Sequence, residues 1–306
     1  MRSETITKRN ANLKIGKYSR LDLIYVFLFL LPVVLVFGIF KYYPLINNIF
    51  ISFTSWDFFT PKRFVGLANY TRLFKSTIFQ RVLLNTIHYT IWSTFLSVAL
   101  GLVLALILTK HNGFFGRMLK TMFFVPNITT ASAVAILWIW IFNPSNGLMG
   151  LLYSFFGAKS PAWLLDVKYA RWAIISLGIW RSMGYCMMIF SSSISQIGTE
   201  IYEAAQIDGA SEVRQATHIT IPLISPTLTF LTTTTFIAAM QVFDVVHVMT
   251  SGNNGTNVIN LFIYQEAFVK NKAGQAAAAS IILFVLLLVC TIVQRIVTER
   301  KEMRNA

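Results

Sequence analysis

The side chains able to do chemistry in this 306-residue chain are few and scattered. Four histidines, His88, His111, His218 and His247, stand apart, and none has the i, i+4 partner and neighbouring Glu of a helical metal site. Cys186 and Cys290 lie inside apolar runs and read as small buried hydrophobes, not as a disulfide or a redox pair. The sequence has no lysine-bearing phosphate loop, nucleophile elbow or dinucleotide glycine pattern. What remains is a set of polar groups in otherwise apolar stretches: Asn127, Arg181, Gln241 and Asp244. In hydrocarbon such groups are costly unless they meet a partner or a solute, so the chemistry they suit is recognition, not bond making. A second set, Glu200, Glu203, Asp208 and Glu212, gathers four of the 12 acidic residues into one short segment.

Composition fixes what kind of element must carry these groups. The chain is 55% hydrophobic and 12% charged, where soluble domains carry about 25% charge. Its net charge of +14 comes from basic residues in the gaps between apolar runs, where anionic headgroups attract them. No gap interleaves a basic stripe with aromatics, so nucleic acid is not expected as a partner. A bilayer core about 30 Å thick needs roughly 20 apolar residues per helix. Six runs qualify: 23–40, 82–109, 121–142, 172–197, 219–243 and 273–294. Arg181 alone interrupts the fourth, and Thr227, Thr229 and Thr232 to Thr235 dilute the fifth, which should therefore face protein or a cavity more than lipid. The first run is preceded by a basic tail and lacks a small-x-small cleavage site, so it is expected to be retained as a span.

An even number of spans places both termini on one side, and both are basic: Arg2, Lys8, Arg9, Lys14, Lys17 and Arg20 at one end, Arg295, Arg300, Lys301 and Arg304 at the other. That side is expected to be cytoplasmic. The division this predicts is a basic cytoplasmic tail over 1–20, a six-span domain over 21–298 and a second basic tail over 299–306. The outer segments, 41–81, 143–171 and 244–272, hold prolines, glycines, Trp56 and Trp163, and should form short interfacial helices and loops. Tyr89, Trp92, Trp138 and Trp140 are expected to pack helices or anchor them at the interface.

The inner segment 198–221 is acidic on a face where basic residues are expected. Glu203, Ala204, Ala205 and Gln206 favour a helix, Gly209 offers an elbow, and Ser211 can cap a second short helix running to Thr217. Pro222 then suits the first turn of the next span, while Pro226 bends that span unless it too lies near the start.

With Glu203-Ala204-Ala205, then Asp208-Gly209-Ala210, then Ile221-Pro222, this segment resembles the EAA loop of ABC importer permeases. The resemblance extends over essentially the whole chain beyond residue 20. Phe64-Val65-Gly66-Leu67-Ala68-Asn69-Tyr70, Asn85-Thr86, Pro161-Ala162-Trp163 and Phe243-Asp244 are similar to the carbohydrate-uptake permeases of the maltose and glycerol-3-phosphate type. Ser251-Gly252-Asn253-Asn254-Gly255 departs from the Gly-Gly-Pro-like turn usual there, which leaves the shape of that loop open.

The resemblance implies an all-α transmembrane fold, a six-helix permease core with a cytoplasmic coupling helix. It implies that the chain is a transport subunit and not an enzyme, and that Glu203, Ala204, Ala205, Asp208 and Gly209 engage a cytoplasmic ATPase. No cofactor is expected in this chain, since ATP and Mg would sit on the partner. The implied assembly holds a homologous second permease, two ATPase copies and an extracytoplasmic solute-binding protein, in a bacterial cytoplasmic membrane. By the same resemblance Asn127, Ser182, Tyr185 and Gln241 fall on or next to sugar-contacting positions, beside Arg181 and Asp244.

Arg181 admits three readings, a contact to a carboxylate or phosphate on an acidic sugar, a pairing with Asp244, or a place at outer headgroup depth. An ion-coupled secondary transporter would need several intramembrane carboxylates or an internal repeat, and only Asp244 is available. A membrane enzyme would need paired acid, base or metal groups at one depth, and none is visible.

Overall fold

The computed structural model describes residues 20–110 and 113–305. Of the expected tails, Arg2, Lys8, Arg9, Lys14 and Lys17 lie outside the described residues. The chain divides into two compact units, 1–50 and 51–306.

In the first unit, α1 (Arg20–Phe37) passes through a π-helical turn, Gly38–Tyr42, into α2 (Tyr43–Ser52). The apolar helix 24–52 is 29 residues long, so it runs well past the expected end at residue 40. Lys41 ended the charge-free run, but one basic side chain on a flexible stem does not break backbone hydrogen bonding and can reach a headgroup.

The second unit opens with a two-residue antiparallel ladder, β1 (Thr54–Ser55) with β2 (Arg63–Phe64), followed by α3 (Ala68–Lys75). Two further helices are long and apolar enough to span by themselves, α4 (Thr77–Thr109) and α8 (Val167–Ile194). A third is the apolar part, 273–296, of α15 (Ala273–Asn305). Among the described residues that gives four candidate spans with 24–52, or up to six if two bent pairs each count as one. The first pair is α5 (Phe114–Ile128) with α6 (Ala131–Ile141), bent by 104°. The second joins α10 (Glu212–Gln215), a π-helical turn and α11 (Ile221–Leu223) to α12 (Ser225–Met240), bent by 73°.

The run expected as one straight span over 121–142 is therefore two helices. Pro126 sits in the last turn of α5, and Thr129 and Thr130 adopt extended backbone, ψ 144° and 127°, before α6 begins. In the fifth run Pro222 and Pro226 each stand in the first turn of a helix, α11 and α12, where a missing N–H costs nothing. The last helix continues to Asn305, through the segment expected as a terminal tail.

Helices α4 and α8 form the most extensive helix pair, and α5 and α12 pack on them. Gly184 of α8 lets α5 approach closely, because a Cβ there would collide with the Phe123 carbonyl. Polar residues stitch the loops to this frame. Asn69, 2% exposed, donates to the carbonyls of Ser52 and Thr54, both at 2.9 Å. Asn85 donates to the Asn257 carbonyl at 3.1 Å, and the Thr86 hydroxyl accepts from the Ile259 N–H at 2.9 Å. The loop 251–255 uses four left-handed residues, Ser251, Gly252, Asn254 and Gly255, the conformation that Gly and Asn tolerate best.

Candidate functional site

Two features stand out, an inner loop and a central cavity. The loop is built by α9 (Thr199–Ile207), a turn at Gly209 and α10. Gly209 has φ +76°. Its N–H donates to the Gln206 carbonyl at 3.0 Å, and the Ala210 N–H donates to the Ala205 carbonyl at 2.9 Å. These paired bonds close α9 with a Schellman turn, which satisfies its last carbonyls and reverses the chain. Ser211 then caps α10, its hydroxyl accepting from the Arg214 N–H at 3.4 Å.

One contact braces the loop across its own elbow and another holds it to the end of α4. Gln215 donates to the Ala210 carbonyl at 2.9 Å, across the elbow. Lys110, just past α4, pairs with Glu212 at 2.7 Å. The Lys110 ammonium, by hydrogen bond and by charge, holds the Glu212 carboxyl below its ordinary value. On the outward face Glu203, Ala204, Asp208 and Gly209 are exposed and Ala205 is half-buried. Among them stand two unusually bare aliphatics, Ile207 and Val213, 87% and 74% exposed. Acid and apolar side chains on one rigid projection suit a protein partner more than solvent.

The cavity, 310 Å³, lies between α4, α5, α8, α12 and the start of α13 (Asp244–Thr250). Five of the residues singled out from sequence line it: Asn127, Arg181, Ser182, Gln241 and Asp244. Tyr185, expected beside them, is not in the lining. It occupies the same face of α8 one turn beyond Ser182, packed against the cluster that contains Val98, Cys186 and Leu231. Tyr89, Ser93, Thr235 and Phe243 line the cavity without having been singled out as contacts. Tyr89, read from sequence as a packing residue, is buried in the core and also reaches the cavity wall. Their only signal in the sequence is that they are polar or aromatic residues on helices expected to meet, which does not say which face meets which.

Arg181 does not form an ion pair with Asp244. Ion pairs form elsewhere, at Lys110–Glu212 and Lys270–Glu266. Arg181 instead donates through Nε to the Pro126 carbonyl and through Nη2 to the Thr129 carbonyl, both at 3.4 Å. Those carbonyls sit at the break between α5 and α6, where a helix C-terminus leaves acceptors without partners and favours a cation. Asp244 occupies the first turn of α13, where a helix N-terminus favours an anion. The cavity wall thus carries a guanidinium, a carboxylate, amides, hydroxyls and aromatic rings, which can hold a polar solute by several directed hydrogen bonds. Among the described residues no cluster of three or more His, Cys, Asp or Glu could hold a metal ion.

Long apolar helices around a polar cavity, with a rigid acidic loop at one end, define the membrane subunit of a transporter. The chain belongs to the family of binding-protein-dependent transport system inner membrane components, whose profile matches residues 97–303. It is 34% identical over 278 residues to the probable ABC transporter permease protein YurN of Bacillus subtilis, covering 88% of this chain and 94% of that one. It is 30% identical over 274 residues to the arabinooligosaccharides transport system permease protein AraP of the same organism, covering 87% and 86%. In three dimensions it matches a chain of a bacterial ABC transporter involved in the import of the acidic polysaccharide alginate. That match has a TM-score of 0.80 and 25% identity, with 90% of this chain and 96% of that chain covered. The chain is accordingly an all-α inner membrane permease subunit with several membrane-spanning helices.

Proposed function

We propose that this chain is half of the translocation pathway of an ATP-driven importer for a sugar or oligosaccharide, powered by a separate ATPase through the loop 198–221. The observation that carries this is the α9–Gly209–α10 projection, capped at its elbow, braced internally by Gln215, tied back at Lys110, and presenting Glu203, Asp208, Ile207 and Val213 outward. Glu203 pairs with a basic group of the ATPase, and Ala204 and Ala205 allow close approach. Gly209 sets the turn and Asp208 stands at the elbow. When two ATPase subunits close on ATP, a rigid loop passes the movement to α8 and α12 instead of absorbing it.

In this reading the loop faces the cytoplasm, as do both basic termini of the multi-pass chain in a bacterial cytoplasmic membrane. A homologous second permease supplies the other half of the pathway, two ATPase copies carry ATP and Mg, and an extracytoplasmic solute-binding protein delivers the solute. Arabinooligosaccharides and alginate, the cargoes in the names of the similar transporters, support a saccharide. So does the cavity, where Asn127, Ser182 and Gln241 suit hydroxyls and Tyr89 and Phe243 suit a sugar ring.

A second reading, an acidic saccharide held by Arg181, is favoured by the place of that guanidinium on the cavity wall. The first is preferred, because Arg181 already spends donors on the α5–α6 break. The assay is uptake of labelled neutral and uronate-bearing oligosaccharides into proteoliposomes holding the assembled transporter. ATP-dependent uptake that requires the binding protein supports the proposal, and uptake driven by an ion gradient without nucleotide refutes it.

A further inference from the structure

Helices α4 and α8 both begin at one end of the bundle, and their N-terminal ends, with Gly252, Gly255 and Asn257 of the loop after α13, enclose a groove of 500 Å³. Its helical walls mix two kinds of residue. Ile78, Leu84 and Val167 are exposed aliphatics, and Arg81 and Arg171 are cations with Asn85 beside them. No Asp or Glu lines the groove. Among the described residues neither arginine has an ion-pair partner. Two guanidiniums in one groove repel each other unless an anion sits between them.

The surface running from this groove identifies the anion. Arg81, Leu84, His88, Ile91 and Phe95 follow one another at spacings of three and four, so they share one face of α4. Leu84 and Phe95 are 65% and 63% exposed. Trp92 and Trp172, with rings 5.5 Å apart, continue this surface onto α8, where Trp172 follows Arg171 in the chain. A cationic groove at the head of an apolar and aromatic strip, on helices that span the bilayer, matches one molecule in both chemistry and direction. The headgroup meets the arginines and an acyl chain follows the strip.

We propose that the groove between the N-terminal ends of α4 and α8 is a binding site for the phosphate headgroup of an anionic phospholipid, held by Arg81 and Arg171. A carboxylate on a protein partner would satisfy the charges but would leave the strip from Leu84 to Phe95 without a role. Guanidinium donors also match phosphate oxygens in a bidentate geometry that lysine cannot reproduce.

Native mass spectrometry of the full chain, purified in detergent with its partner subunits, tests this with phosphatidylglycerol, phosphatidylcholine and inorganic phosphate as probes. Phosphatidylglycerol should be retained about tenfold better by the unaltered chain than by the Arg81→Gln/Arg171→Gln variant, following the attraction of each basic residue to anionic lipid. Arg81→Lys/Arg171→Lys should retain an intermediate amount, which separates lost charge from misfolding. Leu84→Ser should weaken phosphatidylglycerol retention while leaving both arginines in place. Phosphatidylcholine should bind less well than phosphatidylglycerol, and inorganic phosphate in large excess should not displace the lipid. Equal retention by the unaltered and Gln chains overturns the proposal. So does displacement by inorganic phosphate, which assigns the groove to a free anion. Loss of a protein subunit from the Gln variant with lipid retention unchanged also overturns it, and assigns the groove to a protein carboxylate.

Discussion

The phenolic oxygen of Tyr202 lies 2.9 Å from the hydroxyl oxygen of Thr220, joining α9 to the chain immediately ahead of α11. This hydrogen bond closes a loop of rigid pieces between the surface offered to a motor and the helix that borders the cavity. A typical hydrogen bond contributes about 1 kcal/mol, which is roughly a fivefold effect on a coupled equilibrium. Tyr202→Phe and Thr220→Val should each lower ATP-driven uptake several-fold while leaving subunit assembly intact. The double variant should be no worse than Thr220→Val alone, because both changes remove the shared bond and Thr220→Val also removes the donation to the Gln215 carbonyl. Strictly additive losses would show that the two residues act separately.

Gly209 makes a different demand. A Cβ at this position meets no atom within 4 Å, so the position excludes side chains by backbone conformation and not by space. Left-handed backbone costs an ordinary residue about 1–2 kcal/mol, and Asn less. Gly209→Asn should therefore keep most ATPase copurification, whereas Gly209→Val should lose most of it. Equal behaviour of the two variants would mean that the elbow is not what the partner reads.

Gly184 presents the opposite case. Here a Cβ would strike the Phe123 carbonyl, so Gly184→Ala must push α5 away from α8. Overpacking of this kind costs about 1–3 kcal/mol. The purified chain should melt several degrees lower, and uptake should fall because α5 leads into the break held by Arg181. An unchanged melting temperature would contradict the close contact.

The Lys110–Glu212 pair sets a pH limit on the loop. Lys110 depresses the folded-state pKa of Glu212, so the contribution of this pair is fully present above the ordinary glutamate pKa. It disappears only as pH falls through the lower folded value. Between pH 6 and 8 Glu212→Gln should thus change uptake by about twofold or less, as expected for an exposed pair, and by less still in high salt. A large loss that persists in high salt would assign Glu212 a contact outside this chain.

Arg181→Ala should reduce uptake of neutral and uronate-bearing oligosaccharides alike, by about tenfold, because it removes charge-assisted bonds to the Pro126 and Thr129 carbonyls. Arg181→Lys should recover part of the activity for both. A loss confined to the acidic solute would instead make the guanidinium a charge contact for cargo.

Helices α4, α8 and the apolar part of α15 were legible because a charge-free run of membrane length has few alternatives to a helix. The elbow was legible because Gly209 between a helix-favouring stretch and a capping serine is a local signal. Less was visible where one residue had to be weighed against tertiary context. Lys41 marks an end in the sequence, yet the helix passes it. Pro126 was the single mark of a 104° bend, whose two arms pack on different helices, α5 on α8 and α6 on α13. For the cavity, embedded polarity pointed to Asn127, Arg181, Gln241 and Asp244. Tyr89, Ser93 and Thr235 needed the packing of α4 against α8 and α12, which no single helix pattern contains.

Copurification most directly tests whether a foreign ATPase grips the segment around Glu203 and Gly209. The affinity-tagged chain, extracted in mild detergent, should carry an ATPase in stoichiometric amount, and Glu203→Lys or Gly209→Val should strip it away while the membrane subunits stay together. A chain that purifies without any ATPase, yet accumulates solute in nucleotide-free vesicles, would contradict it.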